Sequence, residues 1–407
     1  MTNQTLELLA PAGDMERLET ALRFGADAVY LGGPKLQLRA GSTGFSMDAL
    51  ALAAQKVHAA GKKLYVTVNA FPTNAEVAAI GDYAQALRGV GADAAIVADL
   101  GAIAAIRGAA PGLDVHVSTQ ANCVNYMAAR VYHDMGATRV VLGREMTLEQ
   151  IAELRARTPD SLKLEAFVHG AMCMAYSGRC MISAYLTDRS ANRGGCAQPC
   201  RWTYHLMEQK RPGEFFPVEE DDRGMTILSS FDMNCLDFLD QIRDAGVTSF
   251  KIEGRMKSPY YVATVVNAYR KRLDDMQSGA STPERVALLQ RELNAASHRA
   301  YASGFYFGAM KKHAPDDGSY AQDCVFVGIV RRGLPDGRIR VEQRHRIFEG
   351  DVLEVLSPDS LGLAFAAAHM TDPDGNAIDA VNVPQTLFDM DAPPGVEAGD
   401  ILRIRKR

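Results

Sequence analysis

The sequence predicts an α/β fold, a TIM-like (β/α)8 barrel followed by a small C-terminal β-barrel domain. Three observations predict it. Eight short, nearly continuous apolar runs recur through the first 255 residues, helical patterns lie between most of them, and from about residue 325 the texture changes to short strands. An open doubly wound sheet shares the alternation. The count of eight favours closure, and no Gly-x-Gly-x-x-Gly follows the first run, so a dinucleotide site is unsupported.

The candidate strands cover residues 6–10, 28–32, 63–69, 94–99, 114–119, 139–143, 163–168 and 249–253. Unbroken apolar character, rather than alternation, is what strands buried on both faces require. Helical patterns cover residues 14–24, 47–60, 74–90, 100–108, 124–135, 147–157 and 235–245, and Gly25, Gly61, Gly91, Gly136 and Gly246 follow as stop signals. Two departures break the repeat. About 60 residues between 170 and 229 lack a clean βα pattern, and an insertion of that length on the mouth side of a barrel is usually functional. Beyond Tyr260 two more helices run to residue 300, and then strands are expected at 325–331, 338–343, 351–356 and 401–405. The expected organisation is a barrel over residues 1–300 with a Cys-rich insertion at about 170–229, a linker over 301–324 and a β domain over 325–407.

Composition narrows the function classes. The 407 residues carry 44 Lys+Arg against 49 Asp+Glu, a formal charge of -5, with 47% apolar residues. That excludes disorder as the main state and argues against a protein that coats nucleic acid non-specifically, while leaving room for a local basic patch. No apolar stretch reaches the roughly 20 residues of a membrane span. Met1-Thr2-Asn3-Gln4-Thr5 has no basic or apolar leader character, so a cytoplasmic location is expected. Seven Cys are too few for a disulfide scaffold.

Polar residues collect where the strands end: Asn69, Asp99, Ser118, Gln120, Arg144, Glu145, His169, and Lys251, Glu253, Arg255 and Lys257. In a barrel these ends share one mouth, where active sites are built. Taken singly, each also reads as a cap or turn former. Five of the seven Cys lie in one stretch, Cys173, Cys180, Cys196, Cys200 and Cys235, spaced C-x6-C-x15-C-x3-C and then x34. Thiolates select zinc or iron–sulfur clusters. Only one pair has the close spacing of a zinc knuckle, and the longer spacing among glycines leans toward iron–sulfur, with zinc and uncoordinated thiols left open. Cys123 and Cys324 sit in apolar contexts and read as buried residues.

The segment Glu165-Ala-Phe-Val-His-Gly-Ala-Met-Cys-Met-Ala-Tyr-Ser-Gly-Arg-Cys-Met-Ile-Ser183 resembles the signature of peptidase family U32. Glu7-Leu-Leu-Ala-Pro-Ala-Gly13, Asp27-Ala-Val-Tyr-Leu-Gly-Gly33, Asn192-Arg-Gly-Gly-Cys-Ala-Gln-Pro-Cys-Arg-Trp202 and Phe250-Lys-Ile-Glu-Gly-Arg-Met-Lys-Ser-Pro-Tyr-Tyr261 look like the same family. Its old label is collagenase-like protease, yet neither His-Glu-x-x-His nor Gly-x-Ser-x-Gly occurs, although Ser177 and Ser183 have His169 nearby. The single-barrel form with a short β domain resembles the prephenate-dependent hydroxylases of the tRNA wobble uridine. Other members hydroxylate rRNA or act in ubiquinone biosynthesis, where a non-catalytic iron–sulfur partner is a further alternative.

What the resemblance implies is a 4Fe–4S cluster on Cys173, Cys180, Cys196 and Cys200, with Cys235 as the alternative fourth ligand and zinc as the lesser metal. It also implies prephenate as cosubstrate, and tRNA and an unnamed electron donor as partners. A dicarboxylate needs fixed cations, so Arg144 and Arg255, with Lys257, are candidate anchors. Glu253 and a proton-relaying His169 complete the candidate catalytic set. Tyr176 and Trp202 flank the Cys and either stack on a base or pack locally. Arg331, Arg332, Arg338, Arg340, Arg403 and Arg405 are expected to form a basic face for phosphates, the alternative being solvated strand faces.

Overall fold

The computed structural model describes residues 5–38, 44–172, 178, 180–201, 206–207, 215–216, 218–221, 224–227, 231–308 and 320–406. Cys173, Tyr176, Ser177 and Trp202 lie outside the described residues. Eight parallel strands form the barrel: β1 (Glu7–Pro11), β2 (Ala28–Gly32), β3 (Lys63–Val68), β4 (Ala94–Val97), β5 (Asp114–Val117), β6 (Arg139–Val141), β7 (Lys163–Ala171) and β8 (Ser249–Ile252). They pair in chain order, and β8 pairs with both β7 and β1, which closes the ring. The apolar runs form strands here because both faces are covered, one by neighbouring strands' side chains inside the ring and one by helices.

The helices are α1 (Met15–Arg23), α2 (Met47–Ala59), α3 (Asn74–Val77), α4 (Ile80–Gly89), α5 (Leu100–Ala109), α6 (Tyr126–Asp134), α7 (Leu148–Ala156), α8 (Ile182–Thr187), α9 (Leu239–Asp244), α10 (Pro259–Ser278) and α11 (Pro283–Ala295). Their starts are chemically marked. Ser46, Asp99, Asn125 and Thr147 each accept a backbone N–H of the first turn. Asp99 is thus a cap for α5, and Ser118 caps the turn Thr119–Ala121; for these two strand-end residues the local reading holds. The single helix expected over 74–90 is split into α3 and α4. Glu76 accepts from Thr73 and meets Arg193 of the insertion at 3.2 Å, which ties the first turn down separately.

Among the described residues no helix is long and apolar enough to cross a membrane. The chain forms two compact units, one of Met1–Leu18, Ala26–Met256 and Arg299–Tyr320, the other of Glu19–Gly25, Lys257–His298 and Ala321–Arg407. Helices α10 and α11, inside the expected barrel segment, therefore group with the C-terminal unit.

The C-terminal unit is built on a six-stranded antiparallel sheet of β9 (Cys324–Gly333), β10 (Ile339–Gln343), β11 (Val352–Leu356), β12 (Leu361–Ala366), β13 (Leu387–Met390) and β14 (Ile401–Arg405). The order is β12-β11-β14-β9-β10-β13, and the core holds Val341, Leu353, Phe388 and Leu402.

The basic face expected of this unit is not formed. Arg403 is fully buried, donating to both Glu292 oxygens at 2.8 and 3.0 Å and to Glu354 at 2.9 Å. Arg405 meets Glu354 at 2.8 Å, Arg340 grips Asp389 with two bonds of 2.6 and 2.7 Å, and Arg331 meets Glu342 at 2.8 Å. Arg338 donates to Thr371 and to the Asp389 carbonyl. Register explains it: Arg403 stands directly opposite Glu354, and Arg340 opposite Asp389, where unlike charges attract most.

Candidate active site

The barrel interior is charged rather than wholly apolar. Lys251 of β8 donates to Glu165 of β7 at 2.7 Å, and Arg139 of β6 donates to Glu165 at 2.8 Å and to Glu7 of β1 at 3.1 Å. Tyr65 and Ser249 donate to Glu7 at 2.7 and 2.8 Å. Two cations and two carboxylates balance, which is the condition under which charges persist in a desolvated interior. Burial pushes the Glu7 carboxyl up, but the Arg139 charge and the hydrogen bonds from Arg139, Tyr65 and Ser249 outweigh it, so the net shift is downward. Burial lowers the Lys251 ammonium, against the pull of Glu165. Lys251 also lies 4.3 Å from the centre of the Tyr30 ring. This network escaped the sequence reading, although Arg139, Glu165 and Lys251 interrupt otherwise apolar runs, and that interruption is its signal.

Above it, toward the C-terminal strand ends, Arg144, Glu253 and His169 lie together. Arg144, in the loop after β6, donates to the Ala171 carbonyl at 2.8 Å, lies 3.9 Å from the Phe167 ring centre and stands 3.9 Å from Glu253. Glu253 donates its backbone N–H to the His169 carbonyl at 2.9 Å, and its carboxylate accepts from Tyr30 at 3.4 Å. His169 is buried on β7 with its ring 5.5 Å from Tyr301. Arg255 donates from Nη1 to Gln37 at 3.1 Å and Thr67 at 3.2 Å. Tyr30, Gln37 and Thr67 were not foreseen; they come from the middle of β2, the loop after it and the end of β3. Gly32 makes the approach possible, since a Cβ there would stand 1.8 Å from Gln37 Oε1 and 2.5 Å from Arg255 Nη1. Lys257 lies over the Tyr261 ring within the C-terminal unit.

The described part of the insertion is tied to three loops of this mouth. Gly178 lies against the Gln120 carbonyl, where a Cβ would be 2.1 Å away, and Gly194 lies against that of Gln37. Phe71 donates its N–H to Asn192 O at 3.2 Å, and Arg193 donates to Phe71 O at 2.7 Å. Residues 37, 71 and 120 follow β2, β3 and β5, so the segment carrying Cys180, Cys196 and Cys200 belongs to the mouth side. Helix α8 and the turns Ala191–Arg193 and Pro199–Arg201 hold it together. Asn192 donates to the Cys180 carbonyl at 3.1 Å, and Gln198, in a left-handed conformation, donates its N–H to Cys196 Sγ at 3.3 Å.

An amide aimed at sulfur suits a thiolate. Among the described residues no three His, Cys, Asp or Glu side chains converge as a metal-binding group, and Cys173 is not among them. Cys235 is fully buried, and burial raises its thiol well above the ordinary value. Ser183, one of the two serines a peptidase reading would use, is buried and accepts the Ala197 N–H at 2.9 Å, a fold-holding contact. Cys123 and Cys324 are buried as expected.

Comparison with known proteins adds the lineage. Tests against family profiles match Peptidase family U32 over residues 13–315 and the Peptidase family U32 C-terminal domain over residues 322–403. The tRNA hydroxylation protein P of Escherichia coli (strain K12) is 35% identical, over 91% of this chain and 90% of that protein. The tRNA hydroxylation protein P1 of Bacillus subtilis (strain 168) is 35% identical over 93% and 90%. The 23S rRNA 5-hydroxycytidine C2501 synthase of Escherichia coli (strain K12) is 37% identical over 67% of this chain but 40% of that protein. A barrel with this mouth, this cysteine segment and this C-terminal sheet, matched along both parts, belongs to peptidase family U32.

Proposed function

We propose that this chain hydroxylates RNA, with the wobble uridine of tRNA as the substrate base, prephenate as cosubstrate and a 4Fe–4S centre on the insertion. The observation that carries the reading is the attachment of the Cys180–Cys200 segment to the mouth loops beside Arg144 and Arg255. Near full-length similarity to proteins named for tRNA hydroxylation supports the substrate. The ligands assigned are Cys173, Cys180, Cys196 and Cys200. Cys235 is the alternative fourth ligand. When bound, such a centre supplies one-electron redox chemistry.

The chain's own residues do the positioning. Arg144 and Arg255 anchor carboxylates, and Glu253 holds Arg144 in place while leaving the mouth with more positive than negative charge among these three. The Tyr30 hydroxyl and the Thr67 hydroxyl fix Glu253 and Arg255 in turn. His169 is assigned proton transfer. An unstacked anticodon base can enter such a mouth, as single-stranded RNA recognition requires.

The test is mass analysis of tRNA nucleosides from a deletion strain, complemented with the native chain or with Cys196→Ser, together with iron content and visible absorbance after anaerobic purification. Loss of a hydroxylated uridine, restored only by the native chain, supports the reading. An unchanged nucleoside profile, or a colourless protein holding zinc, overturns it.

A further inference from the structure

At the end of the barrel away from the mouth, the N-terminal ends of the strands surround a cavity of about 550 Å³. Five cations and three carboxylates line it. Two of those cations are already neutralised: Lys62 by Asp27 at 3.1 Å and Arg139 by Glu7 and Glu165. Glu7, the carboxylate on the cavity floor, is likewise occupied by Arg139, Tyr65 and Ser249.

The remaining cations are Lys63, Lys163 and Arg155. Lys63 opens β3 and Lys163 opens β7, four places apart in a ring of eight, so they reach the cavity from opposite walls. Both are exposed, and among the described residues neither has a carboxylate within ion-pair distance. The guanidinium of Arg155 is held in position by neutral carbonyls, donating to Leu162 at 2.6 Å and Thr158 at 2.9 Å, with Asp160 the carboxylate that acts on it. The positive field is felt inside the barrel. His116 is held well below its ordinary pKa by burial first, and then by the charges of Arg139, Lys251, Lys163 and Lys63.

We propose that this cavity is a binding site for a small phosphate-bearing anion, held by Lys63 and Lys163 from opposite walls with Arg155 at its side. Lysine meets phosphate as a point charge and needs no fork geometry, which suits two ammonium groups converging from separate strands. The volume is that of a small-molecule site, larger than a single carboxylate needs. The site is independent of the chemistry at the mouth.

The experiment is calorimetric titration of the full chain with pyrophosphate, comparing native protein, Lys63→Gln, Lys163→Gln, the double variant and Lys56→Gln as a surface-charge control. Each cavity lysine removed weakens binding about tenfold, the value of one charge-assisted contact, while Lys56→Gln leaves it unchanged. Acetylation of the native chain read by mass spectrometry provides a variant-free measurement: pyrophosphate protects Lys63 and Lys163 and spares Lys56. Equal affinity in the double variant and the control overturns the proposal, as does the absence of both heat and protection. Protection by a short RNA oligonucleotide without protection by pyrophosphate also overturns it, assigning these cations to RNA.

Discussion

The ammonium of Lys251 sits 2.7 Å from the carboxylate of Glu165, and both side chains are buried inside the barrel. Removing one partner of such a pair strands a charge in a poorly solvated place. Lys251→Met is expected to destabilise the protein by about 3 kcal/mol, the lower end for a broken buried pair, because Arg139 still holds Glu165. Urea unfolding measures it. A change within about 0.5 kcal/mol, as at an ordinary surface site, would refute the pair's role.

His116 gives the barrel an acid limit. Its ring is buried against Tyr65, centroids 4.6 Å apart, and its folded pKa lies well below 6.5. The unfolded chain takes up a proton near pH 6.5 and the folded chain does not, so acid favours unfolding. Stability is complete above that pH and falls as the pH drops below it, by about 1.4 kcal/mol per unit for one proton. Unfolding free energies at a series of pH values should show this slope, and His116→Phe should reduce it by one proton's worth. An unchanged slope in the variant would remove His116 from the account.

Arg403 holds α11 to the C-terminal sheet through Glu292 and Glu354. Arg403→Met leaves Glu292 and Glu354 with Arg405 as their remaining shared cation and is expected to cost about 3 kcal/mol, the lower end for a broken buried pair. Arg332→Ala, on an exposed strand end, should stay within about 0.5 kcal/mol. Thermal melts of the two variants compare them directly. Similar losses in both would mean that the buried network contributes nothing particular.

Gly32→Ala tests the mouth without substituting a charged residue. The added methyl collides with Gln37 and the Arg255 guanidinium, so Arg255 must shift. A displacement of that kind can cost on the order of 10²-fold in rate. The hydroxylated nucleoside should fall accordingly while the melting curve changes little. Full activity would show that Arg255 is not held for function.

Cys200→Ser and Cys235→Ser separate the two readings of the fourth ligand. Iron per protein after anaerobic purification should drop in Cys200→Ser and persist in Cys235→Ser, because Cys200 shares the close C-x3-C spacing with Cys196. The reverse pattern would transfer the ligand role to Cys235.

The barrel was legible because strands buried on both faces advertise themselves as apolar runs: β2 spans the expected residues, and β3 through β8 start where expected. Strand β12 was passed over: Leu361–Ala366 is an unbroken apolar run, but Gly362, Ala364 and Ala366 make up half of it and no residue in it is fully buried, so no alternation marks it. Without β13, Asp389 had no assigned place; Glu354 stood on an expected strand, but cross-strand register is not written in local sequence. At the mouth, Arg144, His169, Glu253 and Arg255 were readable from the strand-end rule alone. Tyr30 and Thr67 were not, because a polar tip on an otherwise apolar strand residue looks like core. The Glu7–Arg139–Glu165–Lys251 network was missed for a related reason: each member is a lone charge at the start of, or inside, an otherwise apolar strand, and only closure of the ring brings them together.

Strand β7 outlasts its barrel neighbours, and its final residues pair antiparallel with Asp232–Asn234: Ala171 with Asp232, Gly170 with Met233, His169 with Asn234. The chain therefore leaves the barrel and returns to it through a hydrogen-bonded neck. Everything hung from that neck behaves as a cassette. Its closure entropy grows only with the logarithm of its length, so doubling the roughly 60 residues would cost about 0.6 kcal/mol. Chain length can therefore change between the neck and the ties to Phe71 and Glu76 while the barrel beneath keeps its register.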